Sequence, residues 1–204
     1  MDIVAIIDFE TTGMSPDMGD RATEVGVVIV ENGAIVDRYQ SLMNSDAHIP
    51  YFIEQLTGIS NEMIRNAPPA DRVMGELARF AGHLPLVAHN ASFDSRFLDA
   101  EWGRIGYRRQ QEFACSMLLA RRIYQGAPDH KLGTLVNYLG LPDDARHHRA
   151  LADAEMTAHL WLRIAADLQR QYDLGSVTHD MMKSLQKIPR AKIAGYIEKA
   201  RRGL

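Results

Sequence analysis

The 204-residue sequence predicts an α/β domain with a C-terminal extension, and three observations support that prediction. A continuous apolar run at 3–7 is too short for a helix and is typical of a central strand buried on both faces. Two β-rich segments, 23–30 and 34–39, are joined through an Asn-Gly pair, which is a strong hairpin signal. The segment 150–171 repeats apolar residues at helical spacing. We therefore expect strands and amphipathic helices in one chain, with an antiparallel pair flanking the first strand.

Alternating helices and strands are expected between the hairpin and the long helix. The pattern predicts a helix start at 59–64, a helix at 70–82, a strand at 84–88, a helix at 92–105 and a helix at 132–139 closed by Gly140. The segment 112–119 is ambiguous, and we favour a short edge strand that runs into a helix through residue 123.

Composition excludes several classes of protein. No apolar run approaches the 18 residues of a membrane span, and the first residues show no basic region or cleavage site of a secretory signal. The single cysteine, Cys115, rules out an internal disulfide framework and lies in an apolar setting that favours a buried thiol. We therefore expect a cytoplasmic protein that makes no contact with membrane.

The charge is unevenly distributed along the chain. The net charge is −3, yet residues 176–204 hold seven basic and two acidic side chains, which leaves +5 on this segment and −8 on the rest. The basic residues are Lys183, Lys187, Arg190, Lys192, Lys199, Arg201 and Arg202. We predict a domain at 1–172 and a basic helical extension at 173–204. The extension could contact a phosphate backbone or simply present a solvated helix face.

Four carboxylates stand at informative positions. Asp8 and Glu10 follow the first predicted strand, and residues two apart in an extended chain project to the same side. Asp94 falls in the first turn of a predicted helix, and Asp153 near the start of the longest one. Four negative charges in one site repel each other unless divalent cations lie among them. Two Mg²⁺ or Mn²⁺ ions about 4 Å apart would suit oxygen ligands and would indicate phosphodiester hydrolysis.

A histidine precedes the last carboxylate by five residues. Five helical residues rotate by about 500°, or about 140° net, so His148 and Asp153 would face apart if both were helical. We therefore place His148 in the loop before the helix, where it can reach a metal-bound water. His147 is interpreted as a solvated neighbour. We expect His89, at a strand end, to be a structural hydrogen-bond partner, although a contact with substrate is the alternative.

Three motifs in this order resemble those of the DnaQ-like, or DEDDh, 3′→5′ exonuclease family. They are Asp8-Phe9-Glu10-Thr11-Thr12-Gly13, His89-Asn90-Ala91-Ser92-Phe93-Asp94 and His148-Arg149-Ala150-Leu151-Ala152-Asp153, with Leu56-Thr57-Gly58-Ile59 between the first two. The resemblance covers roughly residues 3–165. It implies a ribonuclease H-like fold, that is, a five-stranded mixed sheet flanked by helices, and two Mg²⁺ or Mn²⁺ ions.

The resemblance also implies residue roles. The metal ligands would be Asp8, Glu10, Asp94 and Asp153, the general base His148, and the contacts to the terminal nucleotide Thr11, Leu56 and Thr57. Two positions depart from the family pattern. Phe9 stands between the first two acids, where Thr or Leu is common, and we expect it to pack in the core. Thr57 stands where proofreading subunits have a histidine.

The expected function is metal-dependent removal of nucleotides from 3′ ends as nucleoside 5′-monophosphates, with DNA favoured as substrate in proofreading or repair. The alternatives are an RNA 3′-end trimming enzyme and a non-catalytic nucleic-acid-binding module. A DNA polymerase or a second copy of the chain is the candidate protein partner.

Overall fold

The computed structural model describes residues 2–143 and 148–202. The strands are β1 (Val4–Thr11), β2 (Ala22–Glu31), β3 (Ala34–Leu42), β4 (Leu86–Ala88) and β5 (Phe113–Cys115). The helices are α1 (Tyr51–Thr57), α2 (Asn61–Arg65), α3 (Ala70–Ala81), α4 (Ala91–Arg104), α5 (Ser116–Ile123), α6 (Leu132–Leu139), α7 (Ala150–Tyr172), α8 (His179–Leu185) and α9 (Ile193–Arg202). Short 3-10 turns lie at Pro16–Met18 and Arg190–Lys192.

The five strands form one mixed sheet in the order β3-β2-β1-β4-β5. The β1–β2 and β2–β3 pairs are antiparallel, whereas β1–β4 and β4–β5 are parallel. The predicted hairpin, the mixed sheet and the edge strand that runs into a helix are therefore confirmed. Because β1, β4 and β5 run in the same direction, the chain segments that follow them emerge at one end of the sheet.

The first strand is longer than the sequence pattern predicted. The prediction ended it at residue 7, with the two acids beyond it, but β1 continues to Thr11 and carries Asp8 and Glu10 within it. The reason is the pairing with β2, which runs in register along the strand up to a bulge between Glu10 and Thr11. The acids are thus held on regular strand backbone rather than on a loop.

The central strand is buried on both faces, as its apolar run predicted. Val4 and Ile6 belong to the core cluster that contains α7, whereas Ala5 and Ile7 belong to the cluster under α3 and α4. The approach of α7 to the sheet is close at Gly26 of β2. A Cβ atom there would lie 2.3 Å from the carbonyl carbon of Ala150, so only glycine fits.

Helix α1 was not predicted, although its last residues were recognised in the linking motif. Its apolar side chains Tyr51, Phe52 and Leu56 are largely exposed, so it lacks the buried stripe by which sequence periodicity detects a helix. A left-handed Gly58, with φ of 69°, ends the helix.

The C-terminal segment packs against the body of the molecule. Val177, Met182, Leu185, Ile193 and Ile197 are buried in the same cluster as α7. Helix α8 covers the edge strand β5, and the backbone N–H of Cys115 donates to Oε1 of Gln186 at 2.6 Å. The boundary at 172/173 stays a prediction. In the described part of the chain, no helix is both long and apolar enough to cross a membrane.

Candidate metal centre

Strand β1 presents two carboxylates on one side. Asp8 and Glu10 alternate with Phe9, which is 4% exposed and packs in the cluster under α3 and α4. The neighbours of Asp8 and Glu10 on β2 are Gly26 and Glu24. The strand alternation therefore directs the two acids towards α7 and buries the aromatic side chain that separates them.

Asp94 reaches the cluster from the first turn of α4. It is 2% exposed, and its Oδ1 accepts a hydrogen bond of 3.3 Å from the backbone N–H of Phe9. Strand β4 pairs with β1 only at Ala5 and Ile6, so β1 extends beyond β4 and the Phe9 N–H has no strand partner on that side. The carboxylate of Asp94 fills this position and is fixed beside Asp8 and Glu10.

The third contribution comes from the start of α7. Asp153 lies in the first turn, and His148 lies in the preceding loop with a left-handed φ of 61°. One ligand atom from each of Glu10, His148 and Asp153 lies within 4.8 Å of the others. His148 is thus outside the helix, as its spacing from Asp153 predicted. His147 lies outside the described residues.

The electrostatics of the cluster favour protons or cations. Burial raises the pKa of Asp8 well above its usual value, and the neighbouring charges of Asp94, Asp153, Glu10 and Glu24 raise it further. Burial also raises the pKa of Glu10 to about 8, with Asp153 and Glu24 adding to the effect and Arg149 opposing it. Burial raises the pKa of Asp94 to about 8, although backbone hydrogen bonds lower it.

A divalent metal fits this donor set. The cluster offers carboxylate oxygens, which hard cations prefer, and within residues 2–143 and 148–202 no lysine or arginine forms an ion pair with Asp8, Glu10 or Asp94. A bound cation would replace the protons and offset the repulsion that raises these pKa values.

Sequence reasoning missed a fifth carboxylate and its partner. Glu24 of β2 is fully buried and lies opposite Glu10 in the strand register. Its oxygens accept hydrogen bonds from Arg149 Nη2 at 2.7 Å and Nε at 3.1 Å, from the Ala150 N–H at 3.1 Å and from Gln40 Nε2 at 2.7 Å. The available signal was a glutamate directly before the apolar run 25–30 of this strand, since a charge buried with such a run needs a partner.

The three candidate nucleotide contacts are less closely joined to the cluster. The Thr11 hydroxyl donates to the Gly13 carbonyl at 2.6 Å, and the Thr57 hydroxyl donates to the Ile53 carbonyl at 2.9 Å. Leu56 is 51% exposed. In the part of the chain that is described, no hydrogen bond links these residues to the carboxylates. Because both threonine side chains are buried and their hydroxyls are already bonded, Leu56 is the one of the three that offers an exposed side chain to a ligand.

His89 has a structural environment. Its Nδ1 lies 2.9 Å from the Ser116 hydroxyl and its Nε2 lies 2.9 Å from the His130 carbonyl. Burial lowers the pKa of His89 to about 4, so the ring is neutral at physiological pH. These contacts join the end of β4 to α5 and to the loop before α6, which agrees with the structural interpretation.

Comparisons with known proteins identify the family of this chain. The family model described as Exonuclease (RNase_T) matches residues 5–161. The chain is 34% identical to the 3′-5′ exonuclease DinG of Bacillus subtilis over 94% of its own length, and 32% identical to the PolC-type DNA polymerase III of Caldanaerobacter subterraneus over 90%. It spans only 22% and 13% of the lengths of those relatives.

Solved structures show the same fold. Exonuclease X in complex with 5′ overhanging duplex DNA superposes with a TM-score of 0.71 at 28% identity, covering 90% of this chain and 99% of that one. Exonuclease I of E. coli in complex with single-stranded DNA gives a TM-score of 0.74 at 16% identity, covering 85% of this chain and 42% of that one. The sheet order and these superpositions confirm the ribonuclease H-like fold.

Proposed function

This chain belongs to the RNase_T exonuclease family, and from that premise we propose that it hydrolyses phosphodiesters at nucleic-acid 3′ ends and releases nucleoside 5′-monophosphates. The observation that carries the proposal is the convergence of Asp8 and Glu10 from β1, Asp94 from α4 and the His148–Asp153 segment before and within α7. A protein that only bound nucleic acid would have no need for mutually repelling carboxylates in one site.

We assign two divalent cations, Mg²⁺ or Mn²⁺, to this cluster, with Asp8, Glu10, Asp94 and Asp153 as the residues that would hold them. When bound, such ions neutralise charge on the phosphate and lower the pKa of a coordinated water. The His148 imidazole takes a proton from the attacking water. The water oxygen bonds to phosphorus as the bond from phosphorus to the 3′ oxygen of the shortened strand breaks. That oxygen takes up a proton and becomes the new 3′ hydroxyl, and the phosphate stays on the 5′ oxygen of the released nucleotide.

We further assign the contacts to the terminal nucleotide to Thr11, Leu56 and Thr57. The exposed apolar side chain of Leu56 can pack against a base, whereas the two threonine hydroxyls are already used within the fold and would shape the backbone around the nucleotide.

DNA is the favoured substrate. The relatives at 32–34% identity are named as a DNA polymerase and as a 3′-5′ exonuclease, and the exonuclease X structure contains duplex DNA. The PolC-type relatives also favour a polymerase as the protein partner. Size-exclusion chromatography with light scattering, with and without a polymerase, separates that assignment from a homodimer.

One experiment tests the activity directly. Purified protein is incubated with 5′-labelled single-stranded DNA, mismatched duplex DNA and RNA, with Mg²⁺, Mn²⁺ or excess chelator. A ladder of shortening DNA products with either metal, and none with chelator, supports the proposal. Cutting of closed circular single-stranded DNA as fast as linear DNA would show an endonuclease, and a ladder on RNA alone would show the trimming enzyme.

A further inference from the structure

The C-terminal segment forms a groove that shares no residue with the carboxylate cluster. It lies between the end of α8 and helix α9, encloses about 500 Å³, and is lined by Lys187, Lys192, Lys199 and Tyr196 together with small and apolar residues. We call it the basic groove. No carboxylate lines it, and its charged lining residues are all lysines.

Six basic side chains of this segment, from Lys183 to Arg201, divide into two groups. Lys183 pairs with Glu112 and with Asp180, Arg190 donates to Gln125, and Arg201 donates to the Tyr172 carbonyl at 3.2 Å. These contacts attach the segment to itself and to the body of the molecule.

The three lysines of the basic groove belong to the second group. Among the described residues, none of them forms a hydrogen bond or an ion pair, and all three are exposed. The lysines of this segment that have no hydrogen bond or ion pair therefore all line the basic groove.

The helix geometry holds these cations in place. Lys192 immediately precedes α9, and Tyr196 and Lys199 follow it at intervals of four and three residues, which places all three on one face. Ile193 and Ile197, about 100° further round the helix, are 4% and 2% exposed and anchor it in the core. The groove is thus a fixed surface rather than a free tail.

We propose that the basic groove binds the phosphate backbone of the same nucleic acid whose 3′ end occupies the acidic cluster. The inference rests on the proposed function, because that function supplies the polyanion. Complementary charge gives the affinity, and the half-buried Tyr196 ring offers a surface on which a base or sugar can pack.

The rise of α7 from the acidic cluster to the start of α9 gives an approximate separation of the two sites, and this separation predicts a length dependence. Ile193 and Ala194 lie beside Leu168 of α7, and fifteen residues of helix from Asp153 to Leu168 rise by about 22 Å at 1.5 Å per residue. At about 3.4 Å per nucleotide in a stacked strand, this is about six or seven nucleotides. Only substrates longer than that can occupy both sites.

The test compares two triple variants that remove the same charge. Lys187→Gln/Lys192→Gln/Lys199→Gln removes the groove cations, and Arg72→Gln/Arg79→Gln/Arg108→Gln removes three exposed cations elsewhere. Hydrolysis is measured on 5-nucleotide and 30-nucleotide single strands over a range of salt concentrations. We expect the groove variant to raise KM for the long strand about tenfold and to reduce the slope of log KM against log salt by about 2, at about 0.7 per phosphate contact.

The controls define how the inference could fail. The 5-nucleotide strand should be hydrolysed equally by wild type and both variants, and the arginine variant should keep the long-strand KM. Equal losses on both strands, equal losses in both variants, or no loss at all would overturn the inference. If wild type hydrolyses neither strand, the proposed function fails, and anisotropy of a labelled 30-nucleotide strand still tests the groove.

A second inference comes from an independent contact. We propose that Glu24 and Arg149 are positioning residues for His148. The Glu24 carboxylate binds both the guanidinium of Arg149 and the backbone N–H of Ala150. These are the two residues that directly follow His148, whose left-handed φ of 61° is unfavourable for a non-glycine residue. The buried carboxylate thereby fixes the loop in the conformation that brings His148 to Glu10 and Asp153.

The test uses a matched buried glutamate. Glu101 is 2% exposed and also binds an arginine through two hydrogen bonds, at 2.7 and 2.9 Å, but it lies seven residues beyond Asp94 on α4. Because a misplacement of about 1 Å can cost about 100-fold in rate, we expect Glu24→Gln to lower kcat by about tenfold or more with KM within twofold of wild type. Glu101→Gln should keep kcat when both are assayed well below their melting temperatures.

Arg149→Lys supplies a second variant that keeps the charge but loses the fork of two donors. It should retain part of the kcat that Glu24→Gln loses. Equal kcat in Glu24→Gln and Glu101→Gln, or a KM that rises while kcat is kept, would overturn the positioning role. If the wild type is inactive, the proposed function fails. If the wild type is active, the comparison of kcat with KM tests the positioning role alone.

Discussion

Buried carboxylates have two different environments in this molecule. Glu24 and Glu101 each accept two hydrogen bonds from one arginine and another from a backbone N–H, of Ala150 and Ala22 respectively. Asp8, Glu10 and Asp94 have no arginine or lysine ion pair in the described structure. The two environments lie close together, since Glu24 and Glu10 face each other across β1 and β2.

The two environments differ in how the negative charge of the carboxylates is neutralised. An arginine neutralises it permanently, whereas protons or metal ions can be exchanged. A guanidinium stays charged at any physiological pH, so Glu24 and Glu101 tie Arg149 and Arg21 into the fold as structural pairs. Among the described residues, Asp8, Glu10 and Asp94 have no such ion-pair partner, and burial raises the pKa values of Glu10 and Asp94 to about 8. A site that must bind and release cations needs this second arrangement, because a fixed arginine would occupy the place of the metal.

The largest expected effect is on turnover. Asp8→Asn should lower the rate by about 1,000-fold or more, because a metal site contributes several kcal/mol of transition-state stabilisation. Glu101→Gln should leave the rate within a few-fold of wild type. Rates on a 5′-labelled strand with Mg²⁺, together with circular dichroism of each variant, check the comparison. Similar rates for the two variants would mean that the cluster has no special role.

The next effect concerns the histidine beside the cluster. A general base contributes about 100- to 10,000-fold, so His148→Ala should lower kcat within that range. Binding of Mn²⁺, measured by calorimetry, should survive, because oxygen donors suit these ions better than imidazole does.

Two controls refine that test. His159 of α7 is a half-buried histidine whose replacement by alanine should keep the rate. His147→Ala should cost far less than His148→Ala, because adjacent residues of a loop cannot both face the same water. A more damaging His147→Ala would show that the base has been misassigned.

Stability should change in opposite directions in the two environments. Glu101→Gln leaves Arg21 without its charged partner and should lower the free energy of unfolding by about 1–3 kcal/mol, less than for a fully buried pair because Arg21 is 19% exposed. Asp8→Asn removes one charge from a repelling cluster and should raise the melting temperature without metal. Thermal unfolding in chelator at pH 8 measures both changes. If the melting temperatures of the two variants shifted in the same direction, the proposed difference between the two environments would be contradicted.

The sequence predicts those parts of the molecule that depend on local spacing. The alternation along β1 places Asp8 and Glu10 on one side, and the five-residue interval between His148 and Asp153 places the histidine in a loop. Both follow from the repeat of a strand or a helix, which is visible in a short segment. The three motifs then identify the fold through a resemblance to known exonucleases.

The missed features depend on contacts between distant segments. Glu24 and Arg149 are 125 residues apart, and nothing local indicates which arginine a buried glutamate will meet. The extension of β1 to Thr11 is set by its pairing with β2, and α1 escaped detection because Tyr51, Phe52 and Leu56 are exposed. Sequence periodicity reports burial, so an element that buries little apolar surface leaves little signal.

The smallest predicted effect is the pH dependence of stability without metal. A carboxyl group whose pKa is raised by folding holds a proton that the unfolded chain releases, so its contribution to stability is full below the unfolded pKa and is lost as pH rises through the folded pKa. For Glu10 and Asp94 this window runs from about 4 to about 8. Buried histidines act in the opposite direction in its lower part, since burial lowers the pKa of His89 to about 4. Stability changes between pH 6.5 and pH 8 therefore report on the carboxylates.

The free energy of unfolding, measured with urea in the presence of chelator, should fall by about 1 kcal/mol or more across this range. Asp8→Asn should reduce this dependence on pH, and Glu101→Gln should keep it. Mg²⁺ should stabilise more at pH 8 than at pH 6.5, because it binds the deprotonated cluster. A chelator-treated protein whose stability rises over this range would contradict the raised pKa values and remove the contrast between the two environments.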